Sequence, residues 1–285
     1  MKNIKEYITE RLKISSDLAR NYKYFPQTKK ELQEIIKNLL DERGQNVDLN
    51  DIDVSQIKDM SQLFQPSKDF LNIEIKNIDI SQWNVSQCEN MISMFDGCDK
   101  FNCDLSHWDV SNVMYMSNIF NNCKTFNSNI SMWNTKKVRD MFMMFYNCTS
   151  FNQDISQWDV SQVTDMSMMF YNCTSFNQDL NDWDVSQVTD MSMMFKFCEN
   201  FNGNISQWNV KNVKNMYEMF YWSVKFNQDI SQWDVSRCEN MERMFKDCEK
   251  FNQDLSNWNV KNLKTKIEMF RGCNSLKTYP KWIKS

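Results

Sequence analysis

Apolar residues recur along most of the chain with a strict period of 25 residues. Tryptophan marks this period most clearly, at Trp83, Trp108, Trp133, Trp158, Trp183, Trp208, Trp233 and Trp258. Columns of phenylalanine, methionine and cysteine keep the same spacing. Eight units therefore begin at Lys76, Phe101, Phe126, Phe151, Phe176, Phe201, Phe226 and Phe251. A period of this length without insertions predicts a solenoid in which similar coils stack on one another.

The pattern within one unit predicts its local structure. The first apolar spacings, from Ile155 through Trp158 to Val160, reproduce the rhythm of leucine-rich repeats. Residues 157–161 alternate polar and apolar, which predicts a half-buried strand with Trp158 inside and its polar neighbours outside. Residues 164–170 have apolar positions three and four apart, which predicts a short helix or 3₁₀ turn. Stacked units would then form one parallel sheet of about nine strands.

The two ends of the array differ from its middle. Residues 52–64, IDVSQIKDMSQLF, match WDVSQVTDMSMMF with Ile52 in the tryptophan place, as expected for an atypical terminal repeat. Upstream, TKKELQEIIKNLLDERG predicts a helix that begins with a Thr28/Glu31 capping box and ends before Gly44. We expect this helix to cover the open end of the stack, and partner binding is the alternative. The predicted divisions are a mobile segment (1–24), the capping helix and degenerate repeat (25–75), eight repeats (76–275) and a C-terminal cap (276–285).

Units such as FNQDISQWDVSQVTDMSMMFYNCTS resemble the 25-residue repeats of the BspA-like leucine-rich repeat surface proteins. That family shares its repeat with mycoplasmal lipoproteins. The entry segment TKKELQEII…LNDIDVSQIKDMSQLF is also similar to the way such proteins begin. The resemblance implies a parallel-sheet solenoid that attaches to host matrix proteins, other cells or surfaces. The expected fold is an α/β repeat solenoid: a leucine-rich-repeat-like right-handed coil with one parallel β-sheet, short helical or 3₁₀ segments and an N-terminal helical cap.

Charge and hydropathy narrow the list of partners. The chain has 33 Lys and Arg against 37 Asp and Glu, a formal net charge of -4, which suggests neither nucleic acid nor an anionic membrane. The N-terminus has no apolar core typical of a secretion signal, and no apolar run is long enough for membrane insertion. We therefore expect a cytoplasmic location as encoded, whereas the resemblance implies the cell surface.

The cysteine column favours packing over metal binding or disulfides. Zinc requires four converging ligands at short spacing, but the sequence has no C-x-x-C, and His107 is its single histidine. Ser223 replaces cysteine in one unit, so the column predicts a small, weakly polar filler made of free buried thiols. Cys103 replaces a glutamine, and we expect it to be exposed and reactive. No metal or other cofactor is expected.

Other reactive residues are also assigned to structure. The periodic tryptophans could stack on sugars or bases, but the alternation places them inside. The Asn152/Asp154 pattern predicts an asparagine ladder that bonds turn amides. Calcium is the alternative there, but stacked calcium-binding repeats are glycine-rich and this chain has 4 Gly. We expect no enzyme activity, because His107 has no second histidine and no catalytic motif is found.

One outward strip remains as a candidate binding surface. Asp159 and Asp184 are expected side by side, an unfavourable pairing that a cation or basic partner could offset. A solvated polar face is the alternative explanation. The predicted binding residues are Asp109, Gln157, Asp159, Ser161, Asp182, Asp184 and Asp234. We expect a non-enzymatic, adhesion-like module that binds a protein or glycan, monomeric or weakly self-associating through the solenoid ends. The alternative is an intracellular or virion-type structural scaffold.

Overall fold

The computed structural model describes residues 22–44, 46–66 and 77–284. Within these residues, helix α1 (Lys29–Arg43) is followed by two short strands, β1 (Asn46–Asp48) and β2 (Asn77–Asp79). The strands pair in parallel, with Val47 opposite Ile78, and a 3₁₀ helix at Lys281–Lys284 comes last. The remaining described residues form a series of turns stacked into a repeat solenoid. The N-terminal segment predicted over residues 1–24 lies outside the described residues except for its last three.

Helix α1 forms where its capping box and apolar stripe predict it. The Thr28 hydroxyl accepts a hydrogen bond from the N–H of Glu31 at 3.2 Å, and the Glu31 carboxylate accepts one from the N–H of Gln27 at 2.7 Å. The chain leaves the helix through Gly44, whose φ of 80° suits glycine. One face of α1 is buried in the same apolar cluster as the coils, through Leu32, Ile36, Leu39 and Leu40.

The predicted strand at residues 157–161 is wrong. This segment consists of turns, in which the N–H of Trp158 donates to the Ile155 carbonyl at 3.1 Å and that of Val163 donates to the Val160 carbonyl at 2.9 Å. The predicted outward direction of Gln157 and Asp159 is nevertheless observed. Tight turns closed by aspartate side chains produce the same polar–apolar alternation as a strand, so alternation alone did not distinguish them.

Parallel pairing occurs in the next segment, where a helix or 3₁₀ turn had been expected. We call residues 164–172, and their equivalents 25 apart, the ladder segment. Its N–H groups alternate in direction, so that Met166 and Met168 donate to the next coil at 3.1 and 2.9 Å, while Met169 donates back to the Met166 carbonyl at 3.2 Å. Bridges connect nine coils in this way, at Asp59, Asn90, Tyr115, Asp140, Asp165, Asp190, Asn215, Asn240 and Thr265. The predicted sheet of about nine strands is thus replaced by single bridges at another position of the repeat.

The ladder segment requires left-handed backbone at two residues of each coil. Met168 and Asn172 have φ of 56° and 57°, and equivalent residues repeat this conformation along the stack. Such a conformation costs a non-glycine L-residue roughly 1–2 kcal/mol. In the coil that begins at Phe151, the N–H groups of both left-handed residues donate to the next coil, at 2.9 Å for Met168 and 2.8 Å for Asn172. These cross-coil bonds offset the backbone strain.

The interior is an aromatic ladder, as the 25-residue columns predict. Successive rings stack between coils, with centroids 5.4 Å apart for Phe170 and Phe195 and 6.2 Å apart for Trp133 and Trp158. The indole N–H of Trp158 donates to the Ile130 carbonyl of the preceding coil at 3.0 Å. At the C-terminal end, Trp282 extends the tryptophan stack beyond the eight repeats by lying 6.4 Å from Trp258.

Candidate functional site

The predicted aspartate strip lies on the surface and closes the turns of its own coils. Asp109, Asp159, Asp184 and Asp234 are exposed. The Oδ1 atom of each accepts the N–H of the serine two residues later at 3.0 Å. Gln157 and Asp182 are exposed as expected, whereas Ser161 is half-buried. These Asx turns explain why aspartate and asparagine alternate in this column, since both side chains carry the accepting oxygen.

Hydrogen bonds from serine lower the pKa of two carboxyl groups in the strip. The Ser161 hydroxyl donates to Asp159 at 2.6 Å and lowers the pKa of that carboxyl, with further lowering by the Ser161 N–H and by Lys136. Ser236 lowers the pKa of Asp234 in the same way. Asp159 and Asp234 are therefore stabilised as carboxylates by their own turns, and a cation is not needed to explain these two charges. Its role as a binding surface stays a prediction.

The asparagine and cysteine columns serve the stack, as predicted. The Asn152 side chain accepts the N–H of Asn177 at 2.9 Å, one step of a ladder between coils. The Cys173 thiol donates to the Phe145 carbonyl at 2.9 Å, and Ser223 makes the equivalent bond to Phe195 at 2.5 Å. All cysteines of the chain are free, and burial raises the pKa of the thiols in this column.

The expectation that Cys103 is exposed and reactive is not supported. This residue is half-buried, and its sulfur accepts the N–H of Ile80 at 3.5 Å. Burial raises the pKa of Cys103 to about 11, so little thiolate exists at neutral pH. A reactive cysteine requires the opposite shift.

Sequence reasoning missed a second acidic column, inside the ladder segment. Asp140, Asp165 and Asp190 occupy equivalent places on three successive coils and bridge to one another through their backbones. Burial raises the pKa of Asp165, and the Asp190 and Asp140 carboxylates add to the shift, although the Ser167 N–H donates to Asp165 at 2.8 Å. Among the described residues, no group of three or more metal-ligating side chains has a geometry that could hold an ion.

Sequence reasoning also missed a cluster of rings around a lysine. We call Tyr146, Tyr171, Lys196, Phe197, Tyr221 and Trp222 the aromatic–cation face. The rings of Tyr146 and Tyr171 stack at 4.4 Å, and Phe197 meets the edge of Tyr171 at 5.4 Å. The Lys196 ammonium lies 5.6, 5.1 and 4.9 Å from the ring centroids of Tyr171, Phe197 and Tyr221. These distances are within the range of cation–π attraction.

A buried ion pair fixes the centre of this face. The Lys196 ammonium lies 2.5 Å from the Glu218 carboxylate, and the side chains are only 13% and 6% exposed. Arg243 lies 3.5 Å from the same carboxylate and 3.1 Å from Glu268. Glu268 in turn accepts from Lys246 at 2.7 Å. The network holds the lysine in place, so the surrounding rings are positioned before any partner arrives.

Two residues of the aromatic–cation face occupy a column that favours asparagine. Asn147 and Asn172 lie in this column with φ of 59° and 57°, and the Asn172 amide donates to Asn147 at 2.9 Å. Phe197 and Trp222 adopt the same left-handed conformation, each with φ of 62°. Bulky side chains are unfavourable there, and Trp222 remains 43% exposed. In the sequence these residues interrupt an asparagine column. The interruption was overlooked because the repeated apolar residues dominate the pattern.

The family model described as "Mycoplasma protein of unknown function, DUF285" matches residues 31–134, 104–202 and 174–282. These three overlapping matches cover both the repeats and most of α1. No curated protein matches the chain. In the part of the chain that the structure describes, no helix has the length and apolar character needed to cross a membrane.

Proposed function

This chain belongs to the DUF285 family of Mycoplasma proteins of unknown function, and on that premise we propose that it is a non-enzymatic, adhesion-like binding module for a protein partner. The contact surface is the aromatic–cation face. The resemblance to BspA-like surface proteins supports an attachment role. The predicted right-handed coil with α1 as its cap would present this face on a rigid wall, and Lys29, which donates to Ser61 at 2.7 Å, supports the capping position of α1.

The observation that carries the proposal is the presence of Phe197 and Trp222 in left-handed backbone. Stacking does not need rings at these positions, because neighbouring coils use Asn147 and Asn172 there with almost the same φ. Local strain that the stacking of the coils does not require points to function. Aromatic side chains also lose little conformational entropy on binding and are enriched among the residues that dominate protein interfaces.

The test compares two double variants that both use residues already present in equivalent coils. Phe197→Asn/Trp222→Asn removes the rings and should keep the fold. Asp159→Asn/Asp184→Asn changes the aspartate strip and keeps its Asx turns, as Asn134 does in its own coil. Wild type and variants are immobilised, retained proteins are identified by mass spectrometry, and the purified partner is then titrated by calorimetry.

We expect the ring variant to weaken the titrated complex at least tenfold and the strip variant to leave it unchanged. Unchanged affinity in the ring variant, with loss in the strip variant, would make the aspartate strip the binding surface instead. The scaffold alternative stays a prediction. Size-exclusion chromatography tests it, because a scaffold should form assemblies larger than a monomer without any added partner.

A further inference from the structure

A basic groove lies on the last three regular coils. Its residues occupy other positions of the 25-residue unit than those of the aromatic–cation face. We define it by its lining residues Lys214, Arg237, Glu239, Asn262 and Lys264, which enclose about 380 Å³ of open space. Two further lysines, Lys211 and Lys261, stand three residues before Lys214 and Lys264 in their coils. Five cations on three successive coils thus surround two anions, Asp234 and Glu239, in a chain whose formal net charge is -4.

Within the described ranges, one of these five cations forms an ion pair at contact distance. The charges of the others act from farther away, those of Lys211 and Arg237 on Asp234 and that of Lys214 on Glu239. Glu239 pairs with Lys264 at 2.5 Å, and this lysine is the main cause of the lowered pKa of Glu239. Asp234 closes its own turn by accepting the Ser236 N–H at 3.0 Å. Among the described residues, no carboxylate lies within ion-pair distance of Lys211, Lys214, Arg237 or Lys261. Arg237 instead donates to the Asn212 side chain at 2.6 Å, which orients its guanidinium.

Stacking does not require these cations. The coils that begin at Phe151 and Phe176 carry neutral residues in the same columns, with Ser161, Gln162 and Thr164 in the first of them. Those coils form the same ladder bonds, since the N–H of Thr189 donates to Thr164 at 2.9 Å as that of Lys214 donates to Thr189 at 2.9 Å. The repeat therefore does not require cations in these columns, and the groove is not a consequence of stacking.

We propose that the basic groove binds the sulfate groups of a sulfated glycan. Guanidinium and ammonium groups recognise tetrahedral oxyanions through charge-assisted hydrogen bonds. Coils spaced by about 5 Å place the cations along a line of roughly 10 Å, which suits a polymer with repeated anionic groups. The lining has no aromatic ring, and single-stranded nucleic acids depend on such rings for stacking. The chemistry of the groove therefore favours a sulfated sugar chain.

The experiment uses the full chain and two triple variants that each remove three positive charges. The groove variant is Lys211→Ser/Lys214→Thr/Arg237→Gln, and each new residue already occupies that column in the coil that begins at Phe151. The matched control, on the coil that begins at Phe126, is Lys136→Ser/Lys137→Gln/Arg139→Thr. Affinities for heparin, hyaluronan and oligodeoxythymidine are measured by calorimetry at about 0.1 M salt, where exposed charges are partly screened.

We expect wild type to bind heparin more tightly than the unsulfated hyaluronan or the oligonucleotide. The groove variant should lose at least tenfold in heparin affinity, and its salt dependence should fall by about the number of contacts removed. The control variant should lose less than threefold. Equal loss in both variants would show diffuse charge attraction and overturn the proposal.

Two other outcomes would also overturn the proposal. Hyaluronan affinity equal to heparin affinity would remove the role of sulfate. Oligodeoxythymidine that binds as tightly as heparin would identify a nucleic-acid site. The Phe197→Asn/Trp222→Asn variant should keep full heparin affinity, so failure of the protein-binding proposal and failure of this one are separate results.

Discussion

The two sides of each coil are bonded to their neighbours by different means. On the turn side, residues 151–163 of one unit and their equivalents, side chains make most of the connections between coils: the Trp158 indole reaches Ile130, and the Asn152 amide accepts from Asn177. On the ladder side, residues 164–172, backbone groups bond directly to backbone groups. The first arrangement demands particular residue types, whereas in the second the demand falls on the buried methionine and phenylalanine positions and the outward side chains are free to vary.

This difference explains where the repeats are free to vary. Exchange of a buried side chain that carries a cross-coil bond removes that hydrogen bond, which costs about 0.5–1.5 kcal/mol. A backbone bond places no such demand on the side chain. The ladder side can therefore carry Tyr171 in one coil and Lys196 in the next. The aromatic–cation face lies in the ladder segment, where backbone bonds connect the coils and the outward side chains are not needed for stacking.

Removal of one tryptophan should give the largest difference in stability between the turn side and the ladder side. Trp158→Ala deletes a buried ring and its hydrogen bond to the Ile130 carbonyl, which keeps the Trp133 N–H at 3.1 Å, so we expect a loss of about 3–5 kcal/mol in the free energy of unfolding. Met168→Asn on the ladder side should change it by less than about 1 kcal/mol, because Asn118 occupies that column with φ of 57°. Urea denaturation followed by fluorescence measures both. Equal losses would contradict the distinction between the two sides.

A smaller effect is expected at the thiol that bonds the preceding coil. Cys173→Ala removes one of the two hydrogen bonds that the buried Phe145 carbonyl accepts, the other coming from the Cys148 N–H at 3.0 Å, and should cost about 0.5–1.5 kcal/mol. Cys173→Ser should cost clearly less, because Ser223 makes the same bond in its own coil. Denaturation curves of the two variants decide the point. If serine were as destabilising as alanine, the column would depend on the volume of sulfur and not on hydrogen bonding.

A gain in stability is expected where the ladder side carries strain. Trp222→Asn should raise the free energy of unfolding by up to about 1 kcal/mol, since asparagine tolerates left-handed backbone better than tryptophan. Asn172→Ala, at an equivalent position, should lower stability by a similar amount. Thermal unfolding of the two variants provides the measurement, and destabilisation by Trp222→Asn would show that the ring packs productively.

The smallest effect separates the two acidic columns by pH. The raised pKa of Asp165 means that its ionised form destabilises the folded chain above that pKa, and protonation relieves this as pH falls. Asp165→Asn should therefore be stabilising at pH 7 by less than about 1 kcal/mol, because solvent screens the neighbouring carboxylates. This gain should shrink as the pH approaches the usual aspartate pKa of about 4.

Asp159 should behave in the opposite way. Its lowered pKa contributes stability above the usual aspartate pKa, and that stability is lost as pH falls through the folded-state pKa. Asp159→Asn should thus be neutral or slightly destabilising at pH 7. Chemical denaturation between pH 3 and pH 7 compares the two variants, and the same sign at pH 7 for both would contradict the assignment.

The features that sequence predicted are those fixed by side chains. The tryptophan and phenylalanine columns, the buried thiols and the asparagine ladder each require one residue type, so the 25-residue period revealed them. Helix α1 could also be predicted from the sequence, because Thr28, Glu31 and Gly44 mark its ends. The position of the parallel pairing was not predicted, since the three- and four-residue apolar spacing of the ladder segment also fits a helical turn.

The functional candidates were missed for the same physical reason. Reasoning by period favours positions where all units agree, and the aspartate strip was chosen because it nearly repeats. Lys196, Phe197 and Trp222 differ from the equivalent residues of the other units, so a search for repeated residues overlooks them. The contacts between Lys196 and its rings also depend on which columns face one another, and that followed only from the turn geometry.

The near identity of residues 151–175 and 176–200 has a consequence for inheritance. Each coil presents the same donors and acceptors to its neighbours, so recombination between two such segments would add or delete one complete coil in frame. The product would retain its aromatic ladder. Only the distance along the stack would change, by about 5 Å for each coil. Such events would change the number of coils, and thus the length of the stack, while the chemistry of each coil is left intact.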